Sequence, residues 1–325
     1  QVSEEDWFSF FQILTEAETS ANKSSIENQV FDESEFSFKK FMTNEPYQLN
    51  TEEIEETYWK AGQDLSKCIK DVRNILLDSS EKKTKVVAEF GQAFWLDKRH
   101  GFTPNVTASH TYGSEVFLSG GIPIQELNQV GCCKAYDTKV GTHHFLTQID
   151  HEKNAWGIKL AKLEFGTSTG RQRMVGWFDA VEKGNALRYG GFDQLVINKL
   201  DALTSDNEEL NPLKICVAYK DQEGKIIYDV PRDEESRIKL LPVYEELKCW
   251  TTDLQSIKTF KEFPKEAKRY IARMITSTIF VAYGENWRAK SLPNIKFIGI
   301  GPDPKQLVRD IPSTSDFMFG KINLN

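Results

Sequence analysis

Two arginines one residue apart, Arg171 and Arg173, follow Thr-Ser-Thr-Gly in the stretch "TSTGRQRMVGWFDA" (167–180) and run at once into an apolar Gly-Trp-Phe. With Gln172 between them, both point the same way on an extended segment. Two guanidiniums on one face suit an anion, and a carboxylate held bidentately fits best. Ser168, Thr169 and Gly170 add hydroxyls and a permissive backbone to the same clamp. A solvated loop with either arginine in a surface ion pair is the other reading of these residues. "NKLD" (198–201) sets Asn198 and Asp201 three residues apart at the end of an apolar run. There a carboxylate can accept two hydrogens from a guanine edge, although a polar strand end would look the same. "GIGPD" (299–303) places glycines where backbone can approach a ligand closely, or simply where a chain turns. The long segment 89–113 offers Gln92 and Thr107 as donors to a nucleotide, with Asn105, His110 and Tyr112 adding polar reach; a surface loop has a similar composition.

The elements that must position these groups can be read from periodicity. Ile54, Tyr58, Ala61, Leu65, Ile69, Val72 and Leu76 recur every three or four residues, and Asn50 with Glu53 forms a cap pair, so one amphipathic helix is expected over 50–78. "KTKVVAEFG" (83–91), "QLVINKLDAL" (194–203), "LKICVAY" (213–219) and "IKFIGIGPD" (295–303) read as strands. A further helix is expected over 264–276, with Pro264 in its first turn and Ala267, Tyr270, Ile271, Met274 and Ile275 on one face. Strands alternating with helices predict an α/β fold with a mostly parallel central sheet flanked by helices, and ligands at the carboxyl ends of its strands.

Composition narrows the classes. The 325 residues carry a net charge of −7, with 39% hydrophobic and 27% charged residues, enough for a substantial core. The acidic balance argues against a nucleic-acid or membrane-surface binder, and no apolar run approaches a membrane span, so no membrane insertion is expected. Five cysteines without CxxC spacing, and adjacent His143 and His144 that point apart on a strand, suggest neither a disulfide framework nor a metal site; a reducing compartment is expected. The chain begins with Gln rather than Met, which is compatible with a translated start elsewhere or a removed organellar presequence.

In their order and spacing these segments resemble the adenylosuccinate synthetase family. Its pattern runs E-G-A-Q-G-x-x-L-D-x-x-x-G-x-x-P-x-V-T-S-S, then K-A-Y-x-T-R-V-G, G-x-T-T-G-R-x-R-R-x-G-W-x-D, T-K-L-D, I-x-V-A-Y and S-x-G-P-D. This chain has Glu89, Gln92, Leu96, Asp97, Gly101, Pro104, Val106, Thr107 and Ser109, then "KAYDTKVG" (134–141), "GTSTGRQRMVGWFDA" (166–180), "NKLD", "ICVAY" and "GIGPD". "VFDESEF" (30–36) resembles the family segment ahead of the first helix. The likeness runs from about residue 30 to the end, which sets residues 1–29 apart as a divergent segment before an α/β domain of residues 30–325.

What the resemblance implies is a ligase of purine nucleotide biosynthesis. GTP phosphorylates the 6-oxygen of IMP, the aspartate amine displaces phosphate, and Mg2+ neutralises the transferring charge. By matching position, Gln92, Thr107, Val140 and Arg171 bind IMP; Ser168, Thr169, Arg171 and Arg173 close on aspartate; and Lys199, Asp201, Gly301 and Pro302 surround the guanine of GTP. Gly176 and Trp177 anchor the arginine loop to the core. The family's G-D-E-G-K-G-K phosphate loop with its general base, the following acidic His and the T-T-G-x-G-I-G-P segment have no counterpart here. No catalytic residue and no metal ligand is therefore assigned, and the chain as written is expected not to catalyse the reaction alone. "HHFLTQ" (143–148) replaces P-F-P-T-E, and Phe90 and Ala93 replace glycines beside Gln92. Two expectations follow: part of a ligase whose N-terminal segment is supplied otherwise, or a pseudoenzyme acting as a structural or regulatory subunit of a larger complex. A homodimer and a cytoplasmic, alternatively organellar-matrix, location accompany both.

Overall fold

The computed structural model describes residues 50–141, 143–166, 170–205, 210 and 212–324. The chain divides into two compact units, Gln1–Asp78 and Ser79–Asn325. The boundary expected after residue 29, the segment 30–36, Ser168 and Thr169 all lie outside the described residues.

In the first unit, α1 (Thr51–Ser66) starts where the cap pair requires: the Asn50 side chain accepts from the Glu53 backbone N–H at 3.2 Å and its amide donates to the Glu53 carboxylate at 3.1 Å. The single helix expected over 50–78 is a mistaken expectation, because α1 ends at Ser66 and α2 (Val72–Glu81) begins anew. Asp71 accepts the Arg73 N–H at 3.0 Å and starts the second helix. The apolar period continues across the break, but Ile69 and Val72 are exposed, so no burial holds one continuous helix together.

The second unit is built on a four-stranded sheet. Its elements in chain order are α3 (Glu115–Gly120), β1 (Val130–Lys134), β2 (Asp137–Lys139), α4 (Ala155–Ala161), β3 (Met174–Gly176), β4 (Phe178–Asp179), α5 (Ala180–Gly190), β5 (Gln194–Asn198), β6 (Leu213–Lys220), β7 (Ile226–Ile227), α6 (Glu234–Arg237), β8 (Leu241–Leu247), α7 (Lys265–Tyr283), β9 (Asn294–Gly299), β10 (Leu307–Val308) and α8 (Thr314–Met318). The central sheet runs β1-β5-β9-β10, with β1, β5 and β9 parallel and β10 antiparallel on the edge. A second sheet joins β4 in parallel to β6, which pairs antiparallel with β7 and β8, and β2 pairs with β3. The expected α/β fold with a mostly parallel central sheet and flanking helices is thus the observed one.

Three of the four expected strands form; the segment 83–91 does not. Val87 is 92% exposed and Val86 half exposed, and no partner strand pairs with this run among the described residues. The expected helix over 264–276 extends to Tyr283, its named face is buried, and Pro264 sits just before the first helical residue rather than within the first turn. Helix α7 packs across α5, where Gly184 faces Val281: a Cβ on Gly184 would lie 2.5 Å from the Val281 Cβ. The core they share takes Ala180 and Leu187 from α5, Ile197, Ile295 and Ile298 from the sheet, and Trp177 from the arginine motif. Gly176, ahead of that tryptophan, lies against the Phe145 ring with no room for a side chain.

Candidate ligand-binding site

Three neighbouring parallel strands end on one edge of the sheet, and each carries one of the motifs. Lys134, opposite Asn198 in register, opens "KAYDTKVG" at the end of β1; "NKLD" ends β5; "GIGPD" ends β9. The Ala135 N–H donates to the Asn198 carbonyl at 2.8 Å, and a Cβ on Gly299 would lie 2.7 Å from Asn198 Oδ1, so the motif ends are tightly apposed. A cavity of about 750 Å³ runs along β1 to this edge. Apolar side chains such as Leu187, Ile197 and Ile279 line it, together with the charged Lys134, Arg173 and Lys199. A large apolar pocket with a few convergent polar groups, at strand carboxyl ends, is where an α/β sheet holds its ligands.

One buried carboxylate organises the cationic part. Glu164, 1% exposed, receives Lys134 Nζ at 2.7 Å and Arg173 Nη1 at 3.3 Å on Oε2, and Lys199 Nζ at 2.8 Å and the Tyr136 hydroxyl at 2.6 Å on Oε1. Burial alone would raise its pKa, but hydrogen bonds from Lys134, Lys199 and Tyr136 outweigh that and hold it at about 2. Lys199 reaches inward because it adopts a left-handed conformation, φ 59°, turning the chain between β5 and the short helical turn at Leu200–Leu203. Beside this group the cavity wall carries two more ion pairs, Lys183 with Asp137 and Lys139 with Glu182. Behind them Asp179 caps α5 by accepting the Val181 and Glu182 N–H groups, and takes the Tyr219 hydroxyl at 2.7 Å. Burial, with Glu182 and Asp137 close by, pushes the Asp179 pKa up.

The structure places the sequence-assigned residues unevenly. Gln92, Val140, Arg173 and Lys199 line the cavity. Gln92 has φ 79°, unusual for a side chain with a Cβ and a mark of a constrained turn. Thr107 is half-buried but off the lining; its N–H donates to the Leu96 carbonyl at 2.8 Å within a loop organised by Asp97. The buried Asp97 carboxylate accepts the Arg99, His100 and Thr111 N–H groups at 2.8, 2.9 and 2.8 Å. Arg171 is exposed and off the lining: residues 164–166 pair with 170–173, and its carbonyl accepts the Gly166 N–H. The cavity therefore receives one of the two alternating arginines, Arg173. Asp201 lies half-buried in the turn after Lys199, and burial raises its pKa; Gly301 and Pro302 lie in the turn after β9. Neither turn lines the cavity, although the turn holding Asp201 packs against β9. Trp177 is buried edge-on to Trp156 at 6.4 Å, as an anchor for the loop should be.

Glu164, Tyr136 and the Asp137–Lys183 pair shape the charge at the cavity wall without a sequence assignment. Their only signal was adjacency: Glu164 stands two residues before "GTSTG", and Tyr136 and Asp137 lie inside "KAYDTKVG". Among the described residues no three His, Cys, Asp or Glu side chains group closely enough to hold a metal ion, and no helix is long and apolar enough to cross a membrane.

Comparison with known proteins supplies the context. A sequence profile of adenylosuccinate synthetase matches residues 16–283, beginning inside the first 29 residues and ending before "GIGPD". The adenylosuccinate synthetase of Bacillus cereus (strain ZK / E33L) is 34% identical over 277 residues, covering 84% of this chain and 60% of the relative. That of Exiguobacterium sp. (strain ATCC BAA-1283 / AT1b) is 37% identical over 227 residues, covering 70% and 52%. The fully ligated adenylosuccinate synthetase of Plasmodium falciparum superposes with a TM-score of 0.70 at 28% identity, over 81% of this chain and 58% of that one. The chain spans about 60% of the length of the Bacillus relative.

Proposed function

The chain belongs to the adenylosuccinate synthetase family, and from that premise we propose that it carries the purine- and aspartate-recognition parts of a GTP-dependent ligase joining aspartate to IMP. The observation that supports this reading is the convergence of three separate motifs, from β1, β5 and β9, on one sheet edge beside one cavity. Arg173, in the cavity wall, takes an aspartate carboxylate together with Ser168, Thr169 and Arg171. Gln92 and Val140, also on the wall, face IMP, with Thr107 and Arg171 completing its contacts. Asp201 reads guanine N1–H and the exocyclic amine as a double acceptor, with Lys199 beside it and Gly301 and Pro302 flanking the base.

GTP would supply the phosphoryl group that activates the purine oxygen. Among the described residues no group of His, Cys, Asp or Glu is placed to hold Mg2+, and the reading gives this chain the recognition contacts rather than the phosphoryl-transfer step. Recognition and catalysis are separable in this reading, and recognition is what the chain can be tested for. A cytoplasmic setting belongs to the same proposal.

The test is base selectivity. GDP is expected to bind at least tenfold more tightly than ADP, since a site built to pair with a hydrogen-bonding edge rejects a base lacking it. Asp201→Asn should abolish that preference and favour xanthosine diphosphate, whose 2-oxygen accepts from the new amide. Equal GDP and ADP affinities in the wild-type chain, or an unchanged preference in the variant, would remove the guanine assignment.

A further inference from the structure

The cavity's positive wall is assembled from residues that the family reading assigns to different ligands, and from one it assigns to none. Arg173 belongs to the aspartate clamp, Lys199 to the guanine pocket, and Lys134 to neither. All three bond the same carboxylate. Glu164 is almost fully buried, whereas the side chains of Lys134, Arg173 and Lys199 are 23%, 31% and 40% exposed, so the carboxylate lies beneath and the cations lie over it. Three positive charges on one negative leave the group with a surplus of about two.

Their donors are not used up. Lys134 Nζ spends one hydrogen on Glu164 and one on the Thr138 hydroxyl at 2.9 Å, and an ammonium has three. Lys199 Nζ gives one to Glu164 and one, at 3.3 Å, to the Leu163 carbonyl. Arg173 meets Glu164 through Nη1 alone, which leaves most of a five-donor fork.

We infer that Glu164 is a positioning residue: it gathers Lys134, Arg173 and Lys199 into a single cationic wall that takes a compact dianion, a dicarboxylate or a phosphate monoester, and it sets how tightly that dianion is held. It does so in two opposed ways. Its hydrogen bonds fix the directions of three flexible side chains, which gives the wall a defined shape and lowers the ordering cost of binding. Its charge, one layer behind the ligand, competes for the same cations and weakens the attraction. Because one carboxylate serves three motifs and Arg173 shares its Oε2 with Lys134, a ligand drawing Arg173 outward alters the bonding left to Lys134. The wall stands on the geometry alone; only the identity of its natural dianion rests on the ligase reading above.

The experiment measures binding of inorganic phosphate, L-aspartate and D-aspartate to the full chain at constant ionic strength balanced with KCl, for wild type, Glu164→Gln, Glu164→Asp and Lys134→Gln. Thermal melts establish folding. Removing one negative charge from behind the wall should tighten phosphate binding about tenfold in Glu164→Gln while narrowing the preference for one aspartate enantiomer, because the cations lose their fixed directions. Glu164→Asp keeps the charge and should stay within about twofold of wild type for phosphate, and Lys134→Gln should weaken phosphate at least fivefold. A role confined to stability would lower the melting temperature without moving these ratios.

Phosphate affinity unchanged in a folded Glu164→Gln chain, or unaffected by Lys134→Gln, overturns the inference. If Glu164→Gln does not fold, the Lys134→Gln and Glu164→Asp measurements decide by the same criteria. Phosphate binding to the wall with no response to L-aspartate would uphold the wall and remove the aspartate assignment of the ligase reading. Aspartate binding that phosphate does not compete with would do the reverse.

Discussion

Asp97 shows how much of the loop over residues 97–111 hangs on one side chain. Its carboxylate is buried, yet burial, which pushes its pKa up, is outweighed by the Thr111, His100 and Arg99 N–H donors, so the group is held below the ordinary carboxylate value. Asp97→Ala would strand three backbone donors, and the expected loss is about 3 kcal/mol or more in urea unfolding, with Asp97→Asn losing less because its amide oxygen still accepts. A loss under about 1 kcal/mol for the alanine variant would show that water satisfies those donors instead. Asp97 was readable from sequence as a motif member, but its role was not, and Glu164 was signalled only by its place two residues ahead of "GTSTG". The partners of Glu164 stand 30, 28, 9 and 35 residues away along the chain, so only the fold brings them together. Arg173 and Lys199 were legible because their neighbours in sequence carry the pattern, whereas the removal of Arg171 from the cavity depends on how 164–166 pair with 170–173.

Helices and strands were legible where burial and periodicity agree. Helix α7 has its apolar stripe wholly buried, and β5, β6 and β9 lie where β-branched runs placed them. The expected helix over 50–78 and strand over 83–91 failed for complementary reasons. A helix pattern can run through a break when a side chain such as Asp71 offers the backbone a new start. A strand pattern forms no strand without a ladder partner, and a lone segment cannot announce whether one is present. At the crossing of α5 and α7 the determinant is a missing side chain. Gly184→Ala would put a Cβ 2.5 Å from the Val281 side chain and 2.8 Å from the Thr278 carbonyl, at an expected cost of about 1–3 kcal/mol. Adding Val281→Ala should recover part of that loss, because the side-chain clash disappears while the carbonyl contact stays. Additive losses in the double-mutant cycle would show that the two helices do not meet tightly there.

Across the whole molecule, two buried carboxylates titrate in opposite senses and together shape its response to pH. Glu164 is held at about 2 against an ordinary 4.5, so the folded state binds its proton less readily than the unfolded chain does. The stability it contributes is complete above pH 4.5 and is lost as pH falls toward 2. Asp179 is pushed up, by burial first and by Glu182 and Asp137 next, to about 7 from 3.8. Its protonated form is the one the fold favours, so its contribution is complete below pH 3.8 and fades as pH rises through 7. Stability measured by urea midpoint should therefore pass through a maximum at about pH 4, between the ordinary values of 3.8 and 4.5, and fall on either side of it for separate causes. Glu164→Gln should flatten the acid flank and leave the other. Asp179→Asn, whose side-chain oxygen can still cap α5 at Val181 and Glu182, should flatten the neutral flank and leave the acid one. A wild-type midpoint that climbs steadily from pH 5 to 8 would mean that the two capping N–H groups and the Tyr219 hydroxyl hold Asp179 ionised. The charge cluster behind the cavity would then carry one more negative charge at neutral pH, with Lys139 and Lys183 bound more firmly to the wall.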